Sequence, residues 1–173
     1  MFEIQEILID EQAIQTKVGE LAARISRDYA GKDLVLVCIL KGAVVFTADL
    51  MRRISFPVAI DFIWASSYGM STTAAREIRI KKDMEVDVRG RNVLLVDAII
   101  DTGQTLDYLL KKIPAKGPTS LETVVMLDKK SRRTVEVPLK YRGFEIPDRF
   151  VVGYGVDCAE QYRNLPYVAV IKT

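Results

Sequence analysis

Val93-Leu94-Leu95-Val96-Asp97-Ala98-Ile99-Ile100-Asp101-Thr102-Gly103-Gln104-Thr105-Leu106 is the stretch that decides the fold. Its first four residues are apolar and mostly branched, as a buried parallel strand requires. Two carboxylates follow, separated by Ala98-Ile99-Ile100. Then come Thr-Gly-Gln-Thr and Leu106-Asp107-Tyr108-Leu109-Leu110-Lys111-Lys112, which has helical spacing. A strand that ends in a tight, glycine-containing turn and feeds a helix makes a cradle for phosphate. The N–H groups of the first helical turn, the macrodipole and the hydroxyls of Thr102 and Thr105 all favour an anion there. Asp97 and Asp101 do not suit a bare phosphate. Carboxylates beside such a cradle suit ribose hydroxyls, a metal ion, or a proton to be taken from a substrate.

Outward from this stretch the same grammar repeats. Ile14, Val18, Leu21, Ala22 and Ile25 fall at helical spacing within 10–29, behind a polar start at Asp10-Glu11, and predict an amphipathic helix that Gly31 closes. Leu34–Ile39 is wholly apolar and reads as a second buried strand. Leu40-Lys41-Gly42-Ala43 then leads into a helix over Val44–Met51, a second strand–turn–helix crossing whose glycine permits close backbone approach. Residues 58–64 read as a strand. The segment 66–75 is small, polar and without periodicity, and predicts a long surface loop of the kind that carries function. Glu77–Lys82 alternates polar and apolar residues as the returning strand of a hairpin. Residues 120–127 make another strand, with the basic run Lys129-Lys130-Ser131-Arg132-Arg133 at its C-terminal end. Side chains at that edge of a parallel sheet face the crevice where α/β proteins bind ligands.

Composition narrows the chemistry. The chain has 173 residues, the length of one domain with a sizeable core, and is 49% hydrophobic and 28% charged. A formal net charge of +2 argues against nucleic acid as the main partner. No apolar run could span a bilayer and the N-terminus does not resemble a signal peptide, so no membrane association is expected. Two scattered cysteines, Cys38 and Cys158, suit a reducing cytoplasm and burial rather than a disulfide. With no histidine in the sequence, a Ser-His-Asp triad and the usual zinc sites are excluded, and acid–base chemistry falls to carboxylates, lysines or tyrosines.

The run Asp97-Ala98-Ile99-Ile100-Asp101-Thr102-Gly103-Gln104-Thr105 closely resembles the phosphoribosyl-diphosphate motif of the type I phosphoribosyltransferases: two acidic residues, two apolar residues, then Asp-Thr-Gly-x-Thr after a buried strand. Ala98 departs from it, standing where the second acidic residue belongs. Leu40-Lys41-Gly42 looks like the diphosphate loop of the 6-oxopurine members, in which the corresponding Leu40–Lys41 peptide is often cis. Ser67-Tyr68 matches the family's lid, set in the loop 66–75. Gly143-Phe144-Glu145-Ile146-Pro147-Asp148, Phe150-Val151-Val152-Gly153-Tyr154-Gly155, Asp157 and Tyr162-Arg163-Asn164-Leu165 resemble the purine-binding end of bacterial hypoxanthine-guanine phosphoribosyltransferases. The similarity runs from about residue 9 to 172 and keeps the motif order.

The resemblance implies an α/β fold of type I phosphoribosyltransferase form: a mostly parallel central sheet flanked by helices, in a single domain over 1–173. Its core would span about 30–140, and a small hood would come from about 1–12 and 141–173. It implies transfer of the phosphoribosyl group of 5-phosphoribosyl 1-diphosphate to hypoxanthine or guanine, giving IMP or GMP and diphosphate, with magnesium as cofactor. Residue by residue, 101–105 (Asp101, Thr102, Gly103, Gln104, Thr105) would hold the 5′-phosphate. Asp101 would be the general base, and Asp97 would meet a ribose hydroxyl directly or through magnesium. Leu40, Lys41, Gly42, Ser67, Tyr68 and Arg163 would face the diphosphate. Lys129 would donate to the purine O6, Phe150 would stack on the ring, and the main chain at Val151 would accept from N1–H. Asp157 would lie at the purine end facing a second magnesium. Adenine would be refused because it offers a donor to Lys129 and no N1 proton, a mismatch worth roughly 10⁴-fold or more. A homodimer or homotetramer is implied.

Ala98 leaves Asp97 alone to grip the ribose, so slow turnover is expected and a carboxylate at 98 is expected to raise kcat/KM at least tenfold. The alternative is a phosphoribosyl-diphosphate-sensing regulator that kept the pocket and binds nucleic acid.

Overall fold

A computed structural model of the chain describes residues 3–68 and 77–172, with side chains at all of these except 66–68 and 77. The first strand, β1 (Ile4–Ile9), belongs to a small sheet. The large sheet is built from β2 (Leu34–Ile39), β3 (Ala59–Tyr68), β4 (Glu77–Lys82), β5 (Asn92–Ile100), β6 (Ser120–Asp128) and β7 (Tyr141–Glu145). Its order is β4-β3-β2-β5-β6-β7, and β4 alone pairs antiparallel. The small sheet completes with β8 (Val151–Val152) and β9 (Val168–Ile171), both sides of β9 pairing antiparallel.

Strand periodicity sorts the core into two layers. Leu36, Leu94, Val96, Val124 and Met126 face α1 (Glu11–Asp28) and α2 (Val44–Met51). Val35, Val37, Val93, Leu95 and Val125 face α3 (Gln104–Lys112) through Leu106 and Leu109. Both faces are covered, which is why β2 is buried at every residue and carries no polar position. Asp10 caps α1, its carboxylate accepting from the Ala13 N–H at 2.8 Å. The helix buries Ile14, Val18, Leu21, Ala22 and Ile25, each large aliphatic contributing about 1.5–3 kcal/mol.

Three boundaries differ from the sequence reading. The central strand does not stop at Val96 but runs through Asp97 to Ile100, in register with β6 as far as Ile100↔Asp128. Pairing on both sides overrides the polar residue that suggested a turn. The strand read as 58–64 continues to Tyr68, because Ser66, Ser67 and Tyr68 pair with Arg79, Ile78 and Glu77 of β4. Small polar composition suggested a loop, but the hairpin ladder extends it as strand. The remainder of the expected lid, 69–75, lies outside the described residues. Finally, β7 follows residue 140 yet joins the large sheet, with Tyr141 buried and its hydroxyl donating to Asp28 at 2.7 Å.

Strand order turns at β2 and β5. The chain leaves β2 toward β3 on one side and leaves β5 toward β6 on the other, so the turns after these two neighbouring strands diverge and open a crevice at their C-terminal ends. Among the described residues no helix is long and apolar enough to cross a membrane.

Candidate active site

The turn after β5 lines a cavity of about 240 Å3 with Asp97, Asp101, Thr102, Gly103 and Thr105, floored by Ile39, Ala65, Ile99, Ile100 and Leu106. Gly103 has φ +86° and occupies the N-cap of α3 with no side-chain cap, so the first helical turn presents its N–H groups toward this end. A Cβ at Gly103 would stand 2.6 Å from the Val135 carbonyl oxygen. The turn is held from that side: the Thr102 carbonyl accepts from the Thr134 and Val135 N–H groups at 3.0 and 3.2 Å. Gln104 opens α3 behind the turn. Burial pushes the Asp97 carboxyl up to about 7, against hydrogen bonds from the Ala98 and Ile99 N–H groups that favour its ionised form. Asp101 is exposed enough to pair with Arg132, whose Nε lies 3.0 Å from Oδ1.

Ala98 does not line this cavity. The two-residue period of β5 sends it to the opposite face, where it is 2% exposed and clusters with Cys38 and Ala43. A Cβ built on Gly42 would lie 3.5 Å from the Ala98 methyl. The residue that breaks the acidic pair therefore packs beneath the loop after β2. Burial holds the neighbouring Cys38 thiol up at about 11, which keeps it unreactive.

That loop carries the expected cis peptide at Leu40–Lys41. Lys41 Nζ meets Glu160 Oε2 at 3.0 Å and lies 5.5 Å from the centre of the Trp64 ring, which Lys81 also approaches at 5.0 Å. Gly42 and Gly155 touch main chain to main chain: with φ +95° at Gly155, a Cβ there would run into the Gly42 carbonyl oxygen. Arg163 donates to the Gly155 carbonyl at 2.9 Å and pairs with Asp157 at 2.9 Å and Glu160 at 3.2 Å. Lys41 is thus brought from far away in sequence into one cluster with Asp157 and Arg163. Glu160 stands in a two-residue turn between Cys158 and Gln161 whose central residues, Ala159 and Glu160, both have left-handed backbone (φ 51° and 64°). Such turns favour Asn-Gly, and each side chain there costs about 1–2 kcal/mol. The Asp157 carboxylate accepts from the Glu160 N–H at 2.9 Å and steadies the turn.

The basic run after β6 is anchored inward as well as solvated. Asp128, fully buried, accepts from Arg133 at 2.8 Å and Arg142 at 3.2 Å. Arg132 bridges Asp101 and, at 3.6 Å, Asp148. Lys129 is 8% exposed, its N–H bonded to the Ile100 carbonyl, and among the described residues its ammonium has no ion-pair partner. Phe150 is 47% exposed, whereas Val151 is buried and pairs with Val170. Arg132, Glu160, Trp64 and Asp128 were not singled out from sequence. The side chains of Ser67 and Tyr68 lie outside the described residues.

A family model for the phosphoribosyl transferase domain matches residues 5–159. The hypoxanthine phosphoribosyltransferase of Salmonella typhimurium is 44% identical over 168 residues, spanning 96% of this chain and 94% of that protein. A crystal structure of a hypoxanthine-guanine phosphoribosyltransferase from Bacillus anthracis superposes with a TM-score of 0.93 at 45% identity, covering 99% of this chain and 100% of that one. A hypoxanthine phosphoribosyltransferase from Staphylococcus aureus gives 0.93 at 43% identity, covering 98% and 92%. Sequence and fold agree over nearly the whole length, and this chain belongs to the phosphoribosyltransferase family.

Proposed function

We propose that the chain works in purine salvage, transferring the 5-phosphoribosyl group of 5-phosphoribosyl 1-diphosphate to hypoxanthine or guanine and giving IMP or GMP plus diphosphate. The observation that carries the reading is the cavity after β5, where two carboxylates of different character flank an uncapped helix N-terminus at the switch point of the sheet. The 5′-phosphate sits on the N–H groups and hydroxyls of the turn 102–105. Asp97, whose carboxyl burial pushes up to about 7, meets the ribose hydroxyls. Asp101 takes the purine ring proton; Arg132 occupies its Oδ1, which leaves the other oxygen for the base. Lys41 and Arg163 face the departing diphosphate, where a planar guanidinium suits paired oxygens.

Magnesium fits the donor chemistry. Asp97 and Asp157 offer hard oxygen ligands, and among the described residues no group of three or more acidic, cysteine or histidine side chains forms a cage. Asp97 would hold one ion and Asp157 a second, with water and substrate oxygens as the remaining ligands, and magnesium there would supply neutralisation of charge on the diphosphate. Lys129, nearly buried and without an ion pair among the described residues, supports recognition of the purine O6, with Phe150 stacking and Val151 reading N1–H through its main chain. The small sheet of β1, β8 and β9 serves as the hood of a single domain; a cytoplasmic homodimer or homotetramer belongs to the same reading.

The regulator alternative finds no support in the relatives, which are named as enzymes. The test is turnover of the purified protein with magnesium, 5-phosphoribosyl 1-diphosphate and each of hypoxanthine, guanine and adenine. Formation of IMP and GMP without AMP is expected. No nucleotide from any base, together with a salt-sensitive gel shift, would overturn the proposal in favour of the regulator.

A further inference from the structure

We infer that Glu160 is an affinity-setting residue of the diphosphate subsite: its carboxylate occupies the anion position between Lys41 and Arg163 and is exchanged for diphosphate when substrate binds. The inference rests on the proposed function for the identity of the anion. Its starting point is geometric. Glu160 Oε2 is 3.0 Å from Lys41 Nζ and 3.2 Å from the Arg163 guanidinium, so one oxygen spans both cations of the subsite. These cations come from loops far apart in the chain, and a phosphate oxygen would seek the same pair of donors.

A purely structural role for this carboxylate is disfavoured by what else holds its partners. Arg163 is fixed independently by the Gly155 carbonyl and by Asp157, and Lys41 lies against the Trp64 ring. Neither cation needs Glu160 in order to stay in place. Glu160 itself is held by its backbone, through the Asp157 carboxylate and a left-handed turn, while its side chain is exposed and free to swing away. Charge completes the argument. Lys41 and Arg163 are offset one for one by Asp157 and Glu160, which weakens the pull of these two cations on an anion. Release of Glu160 uncovers them. Return of Glu160 to its cations would in turn hasten release of the product diphosphate.

The test is calorimetric titration of the full chain with diphosphate in excess magnesium chloride, comparing wild type with Glu160→Gln, which keeps shape and loses charge. Exposed pairs are individually weak, so binding is expected to tighten about three- to tenfold at low salt. The gain should shrink near 0.5 M salt, where the screening length is only about 4 Å. GMP, which lacks diphosphate, should bind both proteins equally, and the variant should show stronger product inhibition by diphosphate with kcat/KM for 5-phosphoribosyl 1-diphosphate raised. Unchanged or weaker diphosphate binding by a variant whose thermal unfolding matches wild type would overturn the inference and make Glu160 a positioning residue. Absence of both GMP and diphosphate binding in either protein would instead sink the phosphoribosyltransferase reading of the site.

Discussion

Asp97→Asn should stabilise the metal-free protein at alkaline pH. Asp97 lies beside a cavity, and burial moves its carboxyl from 3.8 to about 7. An acid whose pKa rises on folding contributes its full share below the unfolded value, near 4. That share is lost as pH climbs through the folded value, near 7, because the unfolded chain ionises first. A difference of this size corresponds to about 4 kcal/mol above pH 7, at 1.36 kcal/mol per pH unit. Asparagine can still accept from the Ala98 and Ile99 N–H groups and carries no charge to bury, so it removes the penalty without opening a hole. For a chain of this length each kcal/mol moves Tm by about 2–4 °C. Thermal unfolding with a chelator present should therefore show the variant melting about 8–16 °C higher at about pH 8.5, and the gap should shrink to under about 2 kcal/mol near pH 5. No gain at the higher pH, or an equal gain at both, would refute the reasoning. The same substitution should impair turnover, because the proposed contact of the carboxylate with ribose would be lost.

Ala98→Asp should cost the ligand-free protein about 1–3 kcal/mol in urea unfolding, because the new carboxylate enters the Cys38–Ala43 cluster and not the cavity. The gain in kcat/KM should then fall short of the tenfold suggested by the motif alone; a tenfold gain with unchanged stability would show that the loop above it opens to water. Lys129→Ala should raise the KM for hypoxanthine and guanine more than that for 5-phosphoribosyl 1-diphosphate, with little effect on Tm since among the described residues its ammonium has no ion pair to lose; steady-state kinetics with unchanged purine parameters would rule out its role. Gly155→Ala should lose about 1–3 kcal/mol from the left-handed backbone alone and should raise the KM for 5-phosphoribosyl 1-diphosphate as the Gly42 carbonyl is displaced. Wild-type values for both would show that the two loops separate freely.

What could be read from sequence was local, and what could not was tertiary. The wholly apolar run of β2 and the run opening β5 announced strands covered on two faces, and the glycine of Thr-Gly-Gln-Thr announced the tight turn that opens α3. The strand ends were missed at Asp97 and Ser66 because composition argued for turns where ladder pairing decided otherwise. Sequence also showed that Ala98 breaks an acidic pair without showing that the pair divides between two faces; the alternation of Leu95, Asp97 and Ile99 against Val96 and Ala98 held that information. Glu160 could not have been found, since it meets Lys41 across 119 residues. Arg132 looked like one of several solvated bases until folding set it on Asp101, 31 residues away.

Trp64 is the only tryptophan in the chain, and its ring lies beside the ammonium of Lys41 in the proposed diphosphate loop. Indole emission responds to nearby charge, so any event that draws Lys41 toward a ligand changes the field at a single, unambiguous fluorophore. Stopped-flow mixing can use that emission, without label or coupled enzyme, to follow the arrival of a ligand at the proposed diphosphate loop.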